Sequence, residues 1–171
     1  MSFKHIFLTG NNDVLKQEVI TTLTQNENYT GFCIRPFKIN DQPKGMYLHN
    51  YQSIKENDIP ISITLNQETI MIPHVFDSVV CPILEESLTS DLPIIVMDNL
   101  HLHHIESIPF LELFNECLYS DHHIISSIDS IKNEFGALII ASKESCFIEV
   151  NEQNCEAIKQ NLKQIVSSWH E

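Results

Sequence analysis

Long apolar runs are missing from this sequence. No stretch approaches the roughly 20 consecutive apolar residues that a transmembrane helix requires. The segment Met1–Gly10 is too short and too polar for a secretory signal peptide. We therefore expect a cytoplasmic protein that does not insert into a membrane.

Glycine, proline and positive charge are also scarce. The 171 residues include only 4 Gly and 7 Pro, which excludes collagen-like and linker sequence, and 43% are hydrophobic, which excludes a disordered chain. Asp and Glu number 23 against 10 Lys and Arg, so the formal net charge is −13. Because such a field repels nucleic acids and anionic lipid surfaces, we expect neither as a partner. The length favours one domain over residues 1–171.

The cysteines follow no recognisable pattern. Their number, five, is odd, and no two form a Cys-x-x-Cys pair. This spacing suits reduced thiols better than a disulfide framework or a zinc site. The sequence also contains a single arginine, Arg35, so any chemistry that needs a guanidinium depends on that residue.

Apolar periodicity predicts an α/β protein. A strand over Phe3–Thr9 is followed by a helix whose apolar residues recur from Val14 to Leu23, and an amphipathic helix covers Asn154–Trp169 near the end of the chain. Between them we predict helices over Val75–Leu88 and Ile105–Tyr119 and strands over Leu92–Met97 and His123–Ile128. Pro82 must bend the first of these helices or lie near its start. Two more apolar runs, 137–141 and 146–150, are too short to assign.

Turn-forming residues divide the segment between residues 31 and 72 into short strands. A cluster of turn formers at 40–44 predicts a hairpin, and Asn66-Gln67 predicts a second turn. The strands that these turns join are Gly31–Lys38, Gly45–Tyr51, Ile59–Leu65 and Thr69–Ile72. The sequence therefore predicts an α/β fold with a partly parallel sheet and an antiparallel β insertion near residues 31–72.

The turn after the first strand is where a phosphate-binding loop would lie. Compared with G-x-x-x-x-G-K-[ST], the sequence keeps Gly10 and Lys16, but it has Leu15 for the second glycine and Gln17 for the magnesium-binding hydroxyl. Two matches six residues apart are weak evidence when taken alone. The candidate nucleotide-binding residues are Gly10, Asn11, Asn12, Asp13, Val14, Leu15, Lys16 and Gln17.

Four segments, taken in order, resemble those of one family: Ile6–Gly10, Gly31-Phe32, Ile94–Asp98 and Phe147–Asn154. The family is that of the small P-loop nucleoside-triphosphatases of thermophilic archaea and bacteria, whose human relative is called cancer-related nucleoside-triphosphatase. The resemblance spans nearly the whole chain. It implies a three-layer α/β domain of P-loop NTPase type, with a mostly parallel sheet, that slowly hydrolyses ATP, GTP and other nucleoside triphosphates with Mg²⁺.

The same resemblance implies roles for individual residues. Lys16 matches the P-loop lysine that reaches the β- and γ-phosphates, and Asp98 matches the Walker B aspartate that supports the magnesium shell. Asn99 stands where the family usually has a glutamate able to polarise the attacking water, and an amide cannot accept that proton. The catalytic candidates are therefore Lys16 and a vestigial Asp98, with Asn99 in place of the expected base.

Further replacements act against phosphate binding. Asp13 and Leu15 stand where the family has glycine, and Gln17 where it has threonine. Leu15 adds bulk where backbone N–H groups must face the phosphate. A carboxylate about 5 Å from a phosphate charge, at an effective dielectric of about 20, repels it by roughly 3 kcal/mol, about two decades of affinity.

The altered residues also suit a different role. Asn11, Asn12 and Asp13 are good N-cap types, and an acid in the first turn offsets the helix dipole. The protein can therefore fill its own anion site. Lys16 is then either a solvated helix residue or the partner of Asp13, and Arg35 forms a surface ion pair or bridges to a phosphate.

The leading hypothesis is a degenerate P-loop NTPase homologue with weak or lost binding and hydrolysis of nucleoside triphosphates and a structural or regulatory role. ATP or GTP would bind weakly at most, and the sequence does not identify a protein partner. The alternative is a slow Mg²⁺-dependent NTPase or a kinase-like phosphotransferase, in which Asp13 or residues 101–104 take over the lost roles. Mg²⁺ with the nucleotide is the expected cofactor only if activity remains, and otherwise we expect none.

Histidines support a third hypothesis, a metal-binding module. His101, His103 and His104 follow Asp98, and His122-His123 precede the next strand, so all of them could gather at the carboxyl edge of the sheet. Imidazoles with one carboxylate can hold Zn²⁺, Ni²⁺ or Fe²⁺. Against this hypothesis, adjacent histidines point in divergent directions, and no H-E-x-x-H or H-x-x-E-H spacing occurs.

Overall fold

Strands and helices alternate along the chain. The computed structural model describes residues 3–52, 58–101, 107–129 and 134–170, and within them eight strands and five helices. In chain order they are β1 (His5–Thr9), α1 (Asp13–Thr24), β2 (Tyr29–Ile39), β3 (Gln42–Asn50), β4 (Ile59–Leu65), β5 (Glu68–Met71), α2 (Val75–Thr89), β6 (Ile94–Leu100), α3 (Ile108–Tyr119), β7 (His123–Ile128), α4 (Glu134–Ala141), β8 (Ser145–Glu149) and α5 (Cys155–Ser168).

The strands form one mixed sheet in the order β5-β4-β3-β2-β6-β7-β1-β8. The pairs β2–β6, β6–β7, β7–β1 and β1–β8 are parallel, whereas β2–β3, β3–β4 and β4–β5 are antiparallel. The predicted α/β fold, with its mostly parallel sheet and antiparallel insertion, is confirmed. Strand β2 belongs to both halves of the sheet, because it pairs with β6 on one side and with β3 on the other.

Apolar side chains cover both faces of the parallel strands, which gives three layers. In β6, Ile95 and Met97 pack on one face and Ile94 and Val96 on the other. The first face packs against α2, α3 and α4 through a phenylalanine-rich core, and the second packs against α1 and α5. Burial on both faces explains why the first four residues of this strand, 94–97, are all apolar.

Some predicted boundaries were wrong. The hairpin turn consists only of Asn40-Asp41, both with positive φ, so β2 and β3 extend farther than predicted. Two consecutive left-handed residues match the twist of the flanking strands. Strand β6 does not end at Asp98 but continues to Leu100. Of the two unassigned apolar runs, the first lies in α4 and the second is essentially β8.

One helix decides between two predicted alternatives and another is shorter than predicted. Pro82 is the eighth residue of α2 and lies inside the helix, not near its start. Helix α3 begins at Ile108, because the side chain of Ser107 accepts a hydrogen bond from the N–H of Phe110 at 3.2 Å and so caps the helix. Residues 105 and 106, at the start of the predicted helix, lie outside the described residues.

All five cysteines lie in the described part of the chain as free thiols. Burial raises the pKa of Cys117 to about 12 and that of Cys146 to about 11, which disfavours the reactive thiolate at neutral pH. In the described residues, no helix is both long enough and apolar enough to cross a membrane.

His5 is a buried histidine at the start of β1. Its Nε2–H donates to the carbonyl of Leu118 at 3.0 Å, and its Nδ1 accepts from the N–H of Ile124 at 3.2 Å. Burial lowers the pKa of His5 to about 4. The neutral ring satisfies both contacts, whereas a proton on Nδ1 would break the bond from Ile124.

The buried His5 should make the protein acid-sensitive. The unfolded chain takes up a proton near pH 6.5 and the folded chain only near 4, so stability is complete above pH 6.5 and falls as the pH drops toward 4. Between pH 7.5 and 5 we expect His5 to account for roughly 2 kcal/mol of lost stability. Urea unfolding of the protein and of His5→Gln at both pH values measures this loss. The variant should lose less stability, whereas His74→Gln, a change at an exposed histidine, should keep the original pH dependence. Equal losses in His5→Gln and the unaltered protein would contradict the prediction.

Candidate functional site

The turn between β1 and α1 is a helix cap rather than an open loop. The side-chain oxygen of Asn12 accepts from the N–H of Leu15 at 3.2 Å, and its carbonyl accepts from the N–H of Lys16 at 3.2 Å. Helix α1 begins at Asp13, three residues before Lys16. A phosphate-binding nest needs backbone N–H groups that point outward without a partner. Here the N–H groups of Leu15 and Lys16 already have partners.

Gly10 is required by close packing in the same turn. Its φ is +117°, and a Cβ at this position would lie 2.5 Å from the carbonyl oxygen of Val150. The glycine therefore lets the end of β1 approach the residue that follows β8. This role requires no ligand.

The side chain of Lys16 points into the protein. Only 2% of it is exposed, its Nζ lies 3.0 Å from Oδ1 of Asp13, and Nζ donates to the carbonyl of Ile128 at 3.3 Å. Of the two sequence-based alternatives, the solvated lysine is wrong and the pair with Asp13 is found. The carboxylate of Asp13 is thus the charged partner of this ammonium.

The surface around this turn is negatively charged. A pocket of about 400 Å³ is lined by residues 11–15 and 149–152. It carries the carboxylates of Asp13, Glu149 and Glu152, and its lining includes no lysine or arginine. Leu15 is partly buried and packs against the apolar core between the sheet and helices α1 and α5. The pocket therefore offers a triphosphate no positive charge.

Asp98 lies near the carboxyl end of β6 and is 1% exposed. Its Oδ1 accepts from the hydroxyl of Ser127 at 2.5 Å, and its Oδ2 forms a hydrogen-bonded ion pair with Nη2 of Arg35. Nη1 of Arg35 donates to the carbonyl of Ile34 at 3.0 Å. The predicted ion pair of Arg35 therefore exists, but with a buried partner.

Burial and charge act oppositely on this arginine. Burial alone would lower the pKa of Arg35, but the negative charge of Asp98 and the hydrogen bond to it raise the pKa above its usual value. The guanidinium is therefore permanently charged.

Asn99 is directed at the protein backbone. With φ of +68°, it lies at an irregularity in the β6–β7 pairing. Its side-chain amide donates to the carbonyl of Ile34 at 3.1 Å, and its N–H donates to the hydroxyl of Ser127 at 2.7 Å. Both contacts join neighbouring strands, so the residue at the expected position of the base has a structural role.

The predicted gathering of histidines does not occur in the described residues. His101 lies near Asp129, with Nδ1 3.5 Å from Oδ2, whereas His103 and His104 fall outside the described residues. His122 precedes β7 and His123 is its first residue, so both lie at the amino end of this parallel strand, the opposite edge of the sheet from Asp98. Within the described ranges, no group of three or more His, Cys, Asp or Glu is arranged to hold a metal ion.

His123 has a packing role. Its ring stacks on that of Trp169 with centroids 4.2 Å apart and planes inclined by 3°. The indole N–H of Trp169 donates to the carbonyl of Phe3 at 2.8 Å. These contacts attach the end of α5 to the amino edge of the sheet.

A second pocket, of about 370 Å³, lies beside Asp98 between α1 and the β2–β3 hairpin. Three tyrosines, Tyr29, Tyr47 and Tyr51, line it together with Arg35 and other side chains. Burial raises the pKa of the Tyr51 phenol well above its usual value. This pocket could not be predicted from the sequence, because it depends on how β2 and β3 pair in the sheet.

These contacts do not fit a Mg²⁺ site. Mg²⁺ demands octahedral oxygen coordination and is usually held by carboxylates together with substrate phosphates and water. Both oxygens of Asp98 already accept hydrogen bonds, and one faces a positive charge. Gln17 supplies no hydroxyl where the P-loop motif has Ser or Thr. We therefore derive no step through a metal ion.

The layers and the strand order define an α/β fold of the P-loop NTPase type. The solution structure of a human cancer-related nucleoside triphosphatase shares it with a TM-score of 0.78 and 17% identity, over 96% of this chain and 98% of that chain. The crystal structure of THEP1 from the hyperthermophile Aquifex aeolicus shares it with a TM-score of 0.72 and 15% identity, over 95% of this chain and 98% of that chain. No protein-family model and no curated protein matches the sequence. At these identities the likeness establishes the fold.

The Asp13–Lys16 pair should respond unequally to loss of either partner. Asp13→Ala leaves a buried ammonium without its counter-charge, and we expect it to lower the free energy of unfolding by about 1–3 kcal/mol. Lys16→Met keeps the apolar stem and leaves Asp13, whose side chain is 50% exposed, to water, so we expect a change below about 1 kcal/mol. Urea unfolding of both variants and of the double variant measures the coupling. The double variant should recover most of the stability lost in Asp13→Ala. An equal loss of stability in the two single variants would contradict the prediction.

Proposed function

We propose that this protein is a P-loop-fold protein that has lost nucleoside-triphosphate hydrolysis, binds nucleotides weakly or not at all, and acts in a structural or regulatory role. The observation that carries the proposal is the burial of the Lys16 ammonium against Asp13. In an NTPase of this fold that ammonium would be available to the β- and γ-phosphates.

Binding of a triphosphate would require several unfavourable changes. Lys16 would have to leave Asp13 and the carbonyl of Ile128. The phosphates would also meet the carboxylate of Asp13, with the repulsion of roughly 3 kcal/mol estimated for one charge pair. Glu149 and Glu152 add repulsion from the other side of the pocket. These costs support weak binding at best.

Hydrolysis would lack an evident base. Asn99 cannot accept a proton, and its amide already contacts the backbone of β2. A positioned general base typically contributes 10²- to 10⁴-fold to a rate. Ser127 and Arg35 each contact one oxygen of Asp98, so a magnesium shell would have to compete with both partners for this carboxylate. The fold shared with nucleoside triphosphatases nevertheless makes turnover the quantity to measure.

The proposal predicts that restoring glycine in the turn strengthens nucleotide binding. Asp13→Gly/Leu15→Gly removes the carboxylate that pairs with Lys16 and the side chain that crowds the turn. We expect this variant to bind ATP and GTP with Mg²⁺ at least about tenfold more tightly than the unaltered protein, because removing one repulsive charge pair corresponds to about two decades of affinity. Equilibrium dialysis with labelled nucleotide and a phosphate-release assay measure binding and turnover.

Asp91→Gly serves as the matched control, because it removes one exposed negative charge from the loop before β6, at the opposite edge of the sheet. It should leave nucleotide binding unchanged. Clear phosphate release by the unaltered protein, abolished by Lys16→Ala, would reject the proposal in favour of a slow NTPase.

A further inference from the structure

We propose that the guanidinium of Arg35 replaces a divalent metal ion as the permanent counter-cation of Asp98, so that this carboxylate joins three strands instead of holding a metal. The inference deepens the proposed function and rests on it, because the proposed function treats Asp98 as the counterpart of a metal-supporting aspartate. It depends on different side chains from the Asp13–Lys16 pair.

Burial creates the need for a counter-charge. Asp98 is 1% exposed, and a buried carboxylate is tolerated only when a cation or several hydrogen-bond donors stabilise it. Arg35, the single arginine of the chain, supplies the cation. Lys16, the buried lysine, is directed at Asp13 and Ile128 instead.

Each oxygen of the Asp98 carboxylate already has a hydrogen-bond partner. Ser127 donates to Oδ1 of Asp98, and Arg35 donates to Oδ2. A metal ion would have to displace the guanidinium. The displaced charge would then lie in a half-buried position without its partner, which opposes the exchange.

The position of Arg35 in the sheet explains why the guanidinium lies there. The parallel ladder between β2 and β6 ends where Cys33 pairs with Asp98, and β2 continues beyond it only as the partner of β3. Arg35 is two residues farther along β2, so its side chain emerges on the same face as that of Cys33. It reaches back to Asp98 where backbone hydrogen bonding between the two strands has stopped.

The guanidinium makes two contacts at once. Nη1 donates to the carbonyl of Ile34 on β2, and Nη2 contacts Asp98 on β6, which Ser127 links to β7. A planar fork can make both bonds, whereas a lysine ammonium presents a single point charge. The arrangement therefore links β2 to β6 by side-chain contacts beyond the point where their backbone pairing ends.

Manganese binding without nucleotide tests this proposal. Mn²⁺ is a paramagnetic oxygen-seeking probe, and free Mn²⁺ can be counted by electron paramagnetic resonance while thermal unfolding is followed by circular dichroism. The unaltered protein should show no Mn²⁺ binding that depends on Asp98, and millimolar Mn²⁺ should not shift its unfolding temperature. Stoichiometric Mn²⁺ binding that disappears in Asp98→Asn would overturn the proposal.

Replacing Arg35 should create the missing metal site. Arg35→Met removes the charge and keeps an apolar stem, so we expect a lower unfolding temperature, at least tenfold tighter Mn²⁺ binding than in the unaltered protein, and an unfolding temperature that rises when Mn²⁺ is added. The matched control is Arg35→Met/Asp98→Asn, which should show neither effect of Mn²⁺. Arg35→Lys keeps the charge but loses the fork, and it should lose stability without gaining a metal site. A folded Arg35→Met that gains no Asp98-dependent Mn²⁺ binding would contradict the proposal.

An Arg35→Met variant that does not fold without metal still tests the proposal. If Arg35→Met is unfolded without metal, Mn²⁺ should restore its circular dichroism spectrum and should not restore that of the double variant. Failure of Mn²⁺ to restore it would count against the proposal. Because nucleotide is absent throughout, the result is independent of the nucleotide measurements. A protein that binds no ATP but binds Mn²⁺ at Asp98 would reject this inference and leave the proposed function intact.

Discussion

A charge buried in a protein must be neutralised, and here two buried charged side chains near the carboxyl ends of the central strands are neutralised from within the chain. Lys16 is paired with Asp13, and Asp98 with Arg35. In a nucleotide-binding site the same two positions would be neutralised by phosphates and a metal ion. The internal partners neutralise both charges without a ligand at this edge of the sheet.

The two pairs differ in how they are built. Asp13 and Lys16 lie three residues apart on one helix, so their contact follows from helical geometry and is readable from the sequence. Arg35 and Asp98 are 63 residues apart, and their contact depends on the register of β2 against β6. The sequence therefore predicted the first pair as an alternative but could not identify the partner of Arg35. Ser127 was missed for the same reason, since it meets Asp98 only across the β6–β7 pairing.

Much of the fold was predictable because burial leaves a strong pattern. The run from Ile94 to Met97 is apolar on both faces, and the resemblance in four ordered segments extended this local evidence to the whole chain. Short segments were less informative. Residues 137–141 are uniformly apolar and too few to distinguish helix from strand, and residues 42–44 resemble a turn although they begin β3. The directions of the strands would have corrected one error, since His122 precedes β7 and His123 begins it, so both must lie at its amino edge.

The stack of Trp169 on His123 has a practical consequence. Trp169 is the single tryptophan of the chain, and its ring lies face to face with an imidazole while its N–H is held by the carbonyl of Phe3. Intrinsic tryptophan emission therefore reports the docking of one helix on one edge of the sheet. A spectroscopist following that signal would observe the release of α5, and would need a second probe to detect events at the carboxyl edge.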